Sequence, residues 1–491
     1  MQTKQDIIQW LEDNRDRFIA MADEIWANPE IAWNEFMASG MQADFLNSEG
    51  FKVWSIEDMP TAFIAEWGEG APVIGFIGEY DALPGLSQKI QTTAEAIEEN
   101  GHGHGCGHNL LGVSCLASAL VAKEWLEATG TPGKVRYYGC PAEEQGSAKA
   151  YMARAGIFND LDVAFNFHPA SVNIAMKGNS VGVYDAKFRF HGRTSHAGGS
   201  PHLGRSALDA VELMNVGVNY LREHVLPTVR MHYVITKGGE APNIVPDLAE
   251  VWYFLRAIRP EGLQELVERV QKIAEGAALM TETTFEEIFG SSCAVVMNSH
   301  YLADLQYEVM KEIGAPQFSD EEMNFAQQIN DQYPEANAKS TADLFDLPDE
   351  LTEKPLIEAV LPPYPGNKVW TGSSDVGDVS QCTPVCMLRT TCFTTGTPGH
   401  SWGNVATGGM SIGHKGMLYA AKIMAVAAME CYSDHTHIDK AREEFEKATK
   451  GRPYKNMIPN DMVKPVIEYD ASPDSLPNRY PQYTFYDSKK H

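Results

Sequence analysis

Short apolar runs that each end in reactive polar residues constrain this chain's fold more than any other feature. Residues 73–78 form one run and lead directly into Glu79-Tyr80-Asp81-Ala82-Leu83-Pro84. Residues 135–139 form a second and deliver Glu143 and Glu144, and residues 162–167 form a third and deliver His168. Between them lie an Ala- and Leu-rich stretch at 110–130 and a shorter helical segment at 146–155. Strand, polar loop and helix in alternation predict an α/β layered domain. Open α/β sheets place their sites at the carboxyl ends of strands, where these polar residues fall.

The texture changes after Gly178. Residues 181–191, 229–236 and 249–258 read as strands, and 206–224 and 263–280 as helices. That order predicts a small α+β domain of ferredoxin type, inserted between two parts of the first. Upstream, residues 5–28 read as one amphipathic helix, followed by a helical segment that Gly50 closes and a strand at 61–67. Downstream, α/β texture returns near 301, a polar connection spans about 315–370 without a clear assignment, and 416–430 is an apolar helix. From 451 the tail holds six prolines, which argues against regular structure and for a path along the surface. The expected division is 1–182 and 301–450 for the main domain, 183–300 for the insertion, and 451–491 for an extension.

Gly101-His102-Gly103-His104-Gly105-Cys106-Gly107-His108-Asn109 is the sharpest local motif. Its glycines permit tight backbone geometry. With Cys106 and His108 two residues apart, a loop can turn both toward one ion. Glu143-Glu144 offers one acid for ligation and a neighbour for proton transfer, although acids also favour a helix N-terminus. His168 ends an apolar strand, and His400 sits in Thr397-Pro398-Gly399-His400-Ser401. Either alone reads more readily as structural or incidental, and His414 competes with His400. Together, a mixed Cys, His and Glu set suits Zn²⁺ and can also hold Mn²⁺ or Co²⁺.

A net charge of -27 repels nucleic acid and anionic lipid. Eight scattered cysteines do not form a disulfide scaffold, and no signal peptide or membrane span is visible. A cytoplasmic protein is the expectation.

These motifs, with Gly192-Arg193-Thr194-Ser195-His196-Ala197-Gly198 and Asn243-Ile244-Val245-Pro246-Asp247, closely resemble the M20 metallopeptidase and amidohydrolase family in its Cys-Gly-His branch. The resemblance implies a two-domain M20-like α/β architecture, with a catalytic domain and an inserted lid and dimerisation domain. It implies two divalent metal ions, Zn or Mn, held by Cys106, His108, Glu144, His168 and His400. Cys106 then stands where another branch has a bridging aspartate. Glu143 becomes the general base, Asp81 orients a ligand, and His196 reaches the partner subunit's site to stabilise an oxyanion. The implied reaction is amide hydrolysis of p-aminobenzoyl-glutamate to p-aminobenzoate and glutamate.

A substrate carboxylate calls for arginine or an amide, so Arg256 is the first choice, with Arg193, Asn243 and Arg205 behind it. The implied assembly is a homodimer, or a heteromer with a paralogous A-type chain. Asn109 departs from the acid that many relatives of this branch carry at that position, His102 and His104 exceed what a site needs, and Asp375 and Asp378 are assigned supporting roles. Three rivals remain: a cysteine hydrolase using Cys106 and His108, a non-catalytic partner chain, and a hydrolase of another N-acyl amino acid or dipeptide. The first is geometrically awkward at two-residue spacing.

Overall fold

The computed structural model describes residues 1–462, 464 and 465. The helical N-terminus is two helices, α1 (Lys4–Asp13) and α2 (Arg15–Ala27), rather than one through 5–28. Asn14 caps α1 and leaves helical geometry, which breaks the run. Then follow α3 (Phe36–Ser48), β1 (Lys52–Ile56), β2 (Met59–Glu69), β3 (Val73–Glu79), α4 (His108–Thr129), β4 (Gly133–Cys140), α5 (Ala148–Arg154), β5 (Val163–Ala170) and β6 (Ile174–Ala175). Strand β7 (Gly182–His191), α6 (Ala207–Leu221), β8 (Arg230–Lys237), β9 (Leu248–Ala257), α7 (Pro260–Thr281) and β10 (Thr284–Cys293) make a separate unit. The chain closes with α8 (His300–Ile313), α9 (Asp320–Asn330), α10 (Glu335–Phe345), α11 (Val376–Ser380), β11 (Val385–Thr391), α12 (Trp402–Gly408), α13 (Ser411–Ser433) and α14 (Thr436–Thr449).

The larger sheet has seven strands in the order β1-β2-β4-β3-β5-β11-β6. Strands β4, β3, β5 and β11 run parallel, so their carboxyl ends share one edge. Helix α4 packs on this sheet and against α13 and α2, with nearly every side chain buried. Its apolar character on all sides follows from that placement. Each buried Leu or Val contributes roughly 1.5–3 kcal/mol. Polar residues within α4 find backbone partners: Ser114 donates to Met417 and Ser118 to Ala421. Glycines in left-handed geometry bound the helix, Gly107 at φ 81° and Gly130 at φ 67°.

The smaller sheet runs β10-β7-β9-β8, all antiparallel, under α6 and α7. This is the strand order of a ferredoxin-like βαββαβ unit. Its final strand, β10, is absent from the sequence reading because Thr284–Cys293 mixes acids and serines on an incompletely buried edge. The connection at 315–370 is partly helical. Ser319 and Glu322 form a capping box that starts α9. Among the described residues no helix is long and apolar enough to cross a membrane. The expectation for the tail lies largely outside the described residues.

Candidate metal centre

Five donors meet where the parallel strands end. Cys106 Sγ, a His108 nitrogen and a His168 nitrogen lie within 4.8 Å of one another, as do Cys106 Sγ, a Glu144 oxygen and a His400 nitrogen. Cys106 belongs to both groups. The Cys106 Sγ to His168 Nε2 distance is 3.3 Å, and His400 Nε2 lies 3.5 Å from Glu144.

The backbone produces this convergence. Gly107 at positive φ turns the chain sharply, placing Cys106 on the loop and His108 in the first turn of α4. Ala142 and His400 also adopt positive φ, at 55° each. Glu35, fully buried, accepts hydrogen bonds from the Trp33 and Ala142 amides and from Thr61, which pins the turn before Glu143. Such strain persists where surroundings over-determine it, commonly at functional sites.

Asp81 ties two donors together. Its Oδ1 accepts from His108 Nδ1 at 2.8 Å, and its Oδ2 from the Glu144 amide at 2.8 Å. His168 Nδ1 donates to the Pro169 carbonyl at 2.8 Å. Both rings therefore present Nε2 to the centre, as metal-bound histidines do. Among the described residues His108 Nε2 makes no hydrogen bond and faces Glu79 Oε2 at 3.3 Å, and Glu144 Oε1 is buried without a hydrogen-bond partner. Orphaned donors of this kind fit a cation.

Charge concentrates beneath the donors. Glu79, His108 and Glu143 form a third group within 4.8 Å. Lys149, fully buried, lies 2.9 Å from Glu79 and 2.6 Å from Asp375. Burial, then Glu79, Glu144 and Asp375, push the Glu143 carboxyl well above its ordinary range. Burial and then Glu144 push the Cys106 thiol up. A bound cation reverses both tendencies. Burial, reinforced by Arg389 and His108, keeps His168 neutral, the form that ligates.

The centre opens into a cavity of about 1840 Å³ between the two sheets, lined by Cys106, Glu143, Glu144, His168, His400 and, on the smaller sheet, Arg256. Arg256 Nη1 donates to Ser373 at 3.1 Å. His196, Asn243 and Arg193 are not brought to this cavity within one chain. His196 is exposed and its Nδ1 accepts from the Gly198 and Gly199 amides. Asn243 accepts from the Ala197 amide, and Arg193 Nε donates to the Leu203 carbonyl. Arg205 pairs with Glu282 on the surface.

His414 pairs with Asp23 at 2.7 Å and stands outside the donor groups. His104 is buried against the Ile25 carbonyl, and burial lowers its pKa to about 3. Asn109 donates to the Ala22 and Gly408 carbonyls, an anchoring role an acid could not fill. Asp375 holds Lys149, while Asp378 accepts from the Ala294 amide and Tyr454 hydroxyl. Sequence reasoning missed Glu79, Lys149 and Arg389. Only Glu79 carried a signal, as the last residue of an apolar run.

Residues 180–281 match the model of a peptidase dimerisation domain. The chain is 41% identical to the B-type chain of p-aminobenzoyl-glutamate hydrolase from Escherichia coli (strain K12), over 94% of this chain and 99% of the relative. The chain belongs to the M20 peptidase family. An Xaa-Arg dipeptidase of Mus musculus is 35% identical over 56% of this chain and 63% of its own length. Two solved structures share the M20 fold. One is a dinuclear metal-binding M20 peptidase from Bacillus subtilis, with a TM-score of 0.57 at 16% identity over 86% of this chain and 99% of that one. The other is an aminobenzoyl-glutamate utilization protein from Klebsiella pneumoniae, with a TM-score of 0.57 at 17% identity over 87% of this chain and 98% of that one. This M20 chain is a metal-dependent amidohydrolase, with its α/β core joined to a dimerisation domain.

Proposed function

We propose that this chain hydrolyses p-aminobenzoyl-glutamate to p-aminobenzoate and glutamate, using two divalent ions, Zn or Mn. The full-length likeness to the B-type hydrolase chain of Escherichia coli carries this reading. Cys106 is common to both donor groups and, with His108 and His168 in one and Glu144 and His400 in the other, would hold the ions. When bound, the ions acidify a water and polarise the scissile carbonyl.

The chain's own residues do the rest. Glu143 takes the proton from the attacking water and gives it to the departing glutamate nitrogen, a role in keeping with its place in the cavity next to the donor Glu144. Asp81 fixes the His108 ring and the Glu144 backbone. Arg256 meets a glutamate carboxylate from the smaller sheet, with Asn243 and Arg193 as supporting contacts. His196 of the partner subunit steadies the oxyanion across a dimer formed by the 183–300 domain, a role in keeping with its exposure and with the dimerisation match.

A heteromer with a paralogous A-type chain is the second arrangement. It is favoured by likeness to the A-type chain of p-aminobenzoyl-glutamate hydrolase from Escherichia coli, 25% identical over 51% of this chain. Eight cysteines free of disulfides accord with a reducing cytoplasm.

The test is release of glutamate from p-aminobenzoyl-glutamate by the purified chain, stripped of metal and then resupplied with Zn²⁺ or Mn²⁺. Metal-restored release is expected, with a fall of about 10²–10⁴ in Glu143→Gln at unchanged metal content. No release from the metal-loaded chain, alone or with the A-type chain, refutes the substrate; full activity in Glu143→Gln refutes the base.

A further inference from the structure

Arg389 is a buried cation with no ion-pair partner among the described residues. It sits on β11 directly opposite His168 in the parallel register with β5. Both side chains therefore project from the same face at adjacent strand ends, about 5 Å apart in the backbone. Arg389 is 6% exposed, yet it lines the cavity with Cys106, His168 and Arg256. Its guanidinium lies 4.1 Å from the ring centroid of Trp370, which fixes the plane of the fork.

The contacts of Arg389 do not account for its burial. Among the described residues Nε has no hydrogen-bond partner, and the one bond from its side chain is a weak Nη2 contact to Met387 Sδ at 3.8 Å. Among the described residues no carboxylate stands within ion-pair distance of it, although the chain carries 66 acids. Burial lowers its pKa only to about 10, so it stays charged in neutral solution. An unpaired charge in such a place is costly, and cations bound at the neighbouring donors add to the cost. An anion arriving with the substrate removes it.

We infer that Arg389 is the receptor for the α-carboxylate of the substrate's amino-acid half, gripping it through the two-pronged contact that guanidinium makes with carboxylate. The choice of carboxylate follows from bond count. The α-carboxylate shares a carbon with the scissile nitrogen, so it must lie beside the donors, where Arg389 is. The γ-carboxylate of glutamate is farther along the chain and falls to the smaller sheet, where Arg256 is. Arg389 thereby selects N-acyl amino acids with a free carboxyl terminus over internal amides. This rests on the amidohydrolase reading but not on glutamate being the amino acid.

The experiment compares p-aminobenzoyl-glutamate with its α-amide and its γ-amide, in the metal-loaded wild type, Arg389→Met and Arg389→Lys. The wild type should prefer the free α-carboxylate over the α-amide by about 10²–10³ in kcat/KM. Arg389→Met should lose that preference, with KM rising much more for the free acid than for the α-amide. Arg389→Lys should retain part of it, and serves if the Met variant does not fold. Calorimetric binding of N-benzoylalanine and N-benzoylalaninamide to the same proteins separates this inference from the substrate assignment. If p-aminobenzoyl-glutamate is not cleaved but Arg389→Met still abolishes the preference for N-benzoylalanine, Arg389 keeps its role and the substrate reading fails. A preference that survives in Arg389→Met, or an equal loss on acid and amide, overturns the inference.

Discussion

Replacing Lys149 with Met tests whether the charges beneath the metal centre are arranged as described. The ammonium is fully buried and lies 2.9 Å from Glu79 and 2.6 Å from Asp375, both carboxylates also at 1% exposure or less. At an effective dielectric of about 20, each contact is worth roughly 6 kcal/mol before desolvation. Desolvating the ion cancels several kcal/mol of that, and removing one partner of a buried ion pair leaves a net loss of about 3–5 kcal/mol. Methionine fills much of the same volume, so the loss reports charge more than packing.

The pH dependence sharpens the test. Asp375 titrates at about 6 with Lys149 in place, raised chiefly by burial. Without the cation its folded pKa rises further above the unfolded value. A raised folded pKa gives stability that is present at low pH and lost as pH rises through it. The penalty in Lys149→Met should therefore be full near pH 8 and shrink toward about pH 5. Lys149→Met/Asp375→Asn should recover roughly half of it near pH 8, because one buried charge is gone. Urea unfolding of the metal-free proteins at both pH values measures this. A penalty below about 1 kcal/mol near pH 8, or one that grows with acid, refutes the reasoning.

Two further outcomes follow from features away from the acids' contact with lysine. In Gly107→Ala the added methyl carries a left-handed cost of about 1–2 kcal/mol and meets Phe393 Cζ at 2.9 Å and Pro169 at 3.0 Å; chelator competition should show metal affinity lowered by about 10–100-fold, and unchanged affinity would dissociate the turn from the donors. Burial raises Asp378 from 3.8 to about 7, so folding stability should fall as pH rises between those values by on the order of 4 kcal/mol; Asp378→Asn should flatten that slope, and parallel stability profiles for the two proteins would exclude the assignment.

Residues whose environment is local were readable in the sequence. Apolar runs ending in Asp81, Glu144 and His168 announced strand ends, and the Gly-rich loop announced Cys106 and His108. The inserted unit was legible from the strands and helices at 181–280, although β10 was not, since an edge strand need not be apolar. Helices α9 and α10 escaped because their buried faces are short, despite the capping box at Ser319 and Glu322. Lys149 and Arg389 were illegible for a different reason. Their settings depend on groups distant in the sequence, Glu79 and Asp375 for Lys149, and His168 with the Trp370 ring for Arg389. His414 and His400 looked equivalent until Asp23, on the second helix, claimed the former.

The donors are spread along the chain, with Cys106 nearest the start and His400 farthest along, and a whole ferredoxin-like unit lies between His168 and His400. A ribosome delivers them in that order. Cys106, His108, Glu144 and His168 emerge early and can form three parallel strands and their helices, but β11 and the loop bearing His400 arrive only after the insertion has been made. Contacts closed over such long stretches form slowly. The nascent chain therefore carries an incomplete ligand set through most of its synthesis. The Cys106, His108 and His168 group is complete once β5 has been made, whereas the group that pairs Cys106 with Glu144 and His400 closes only after the insertion, so a full donor set exists only late in synthesis.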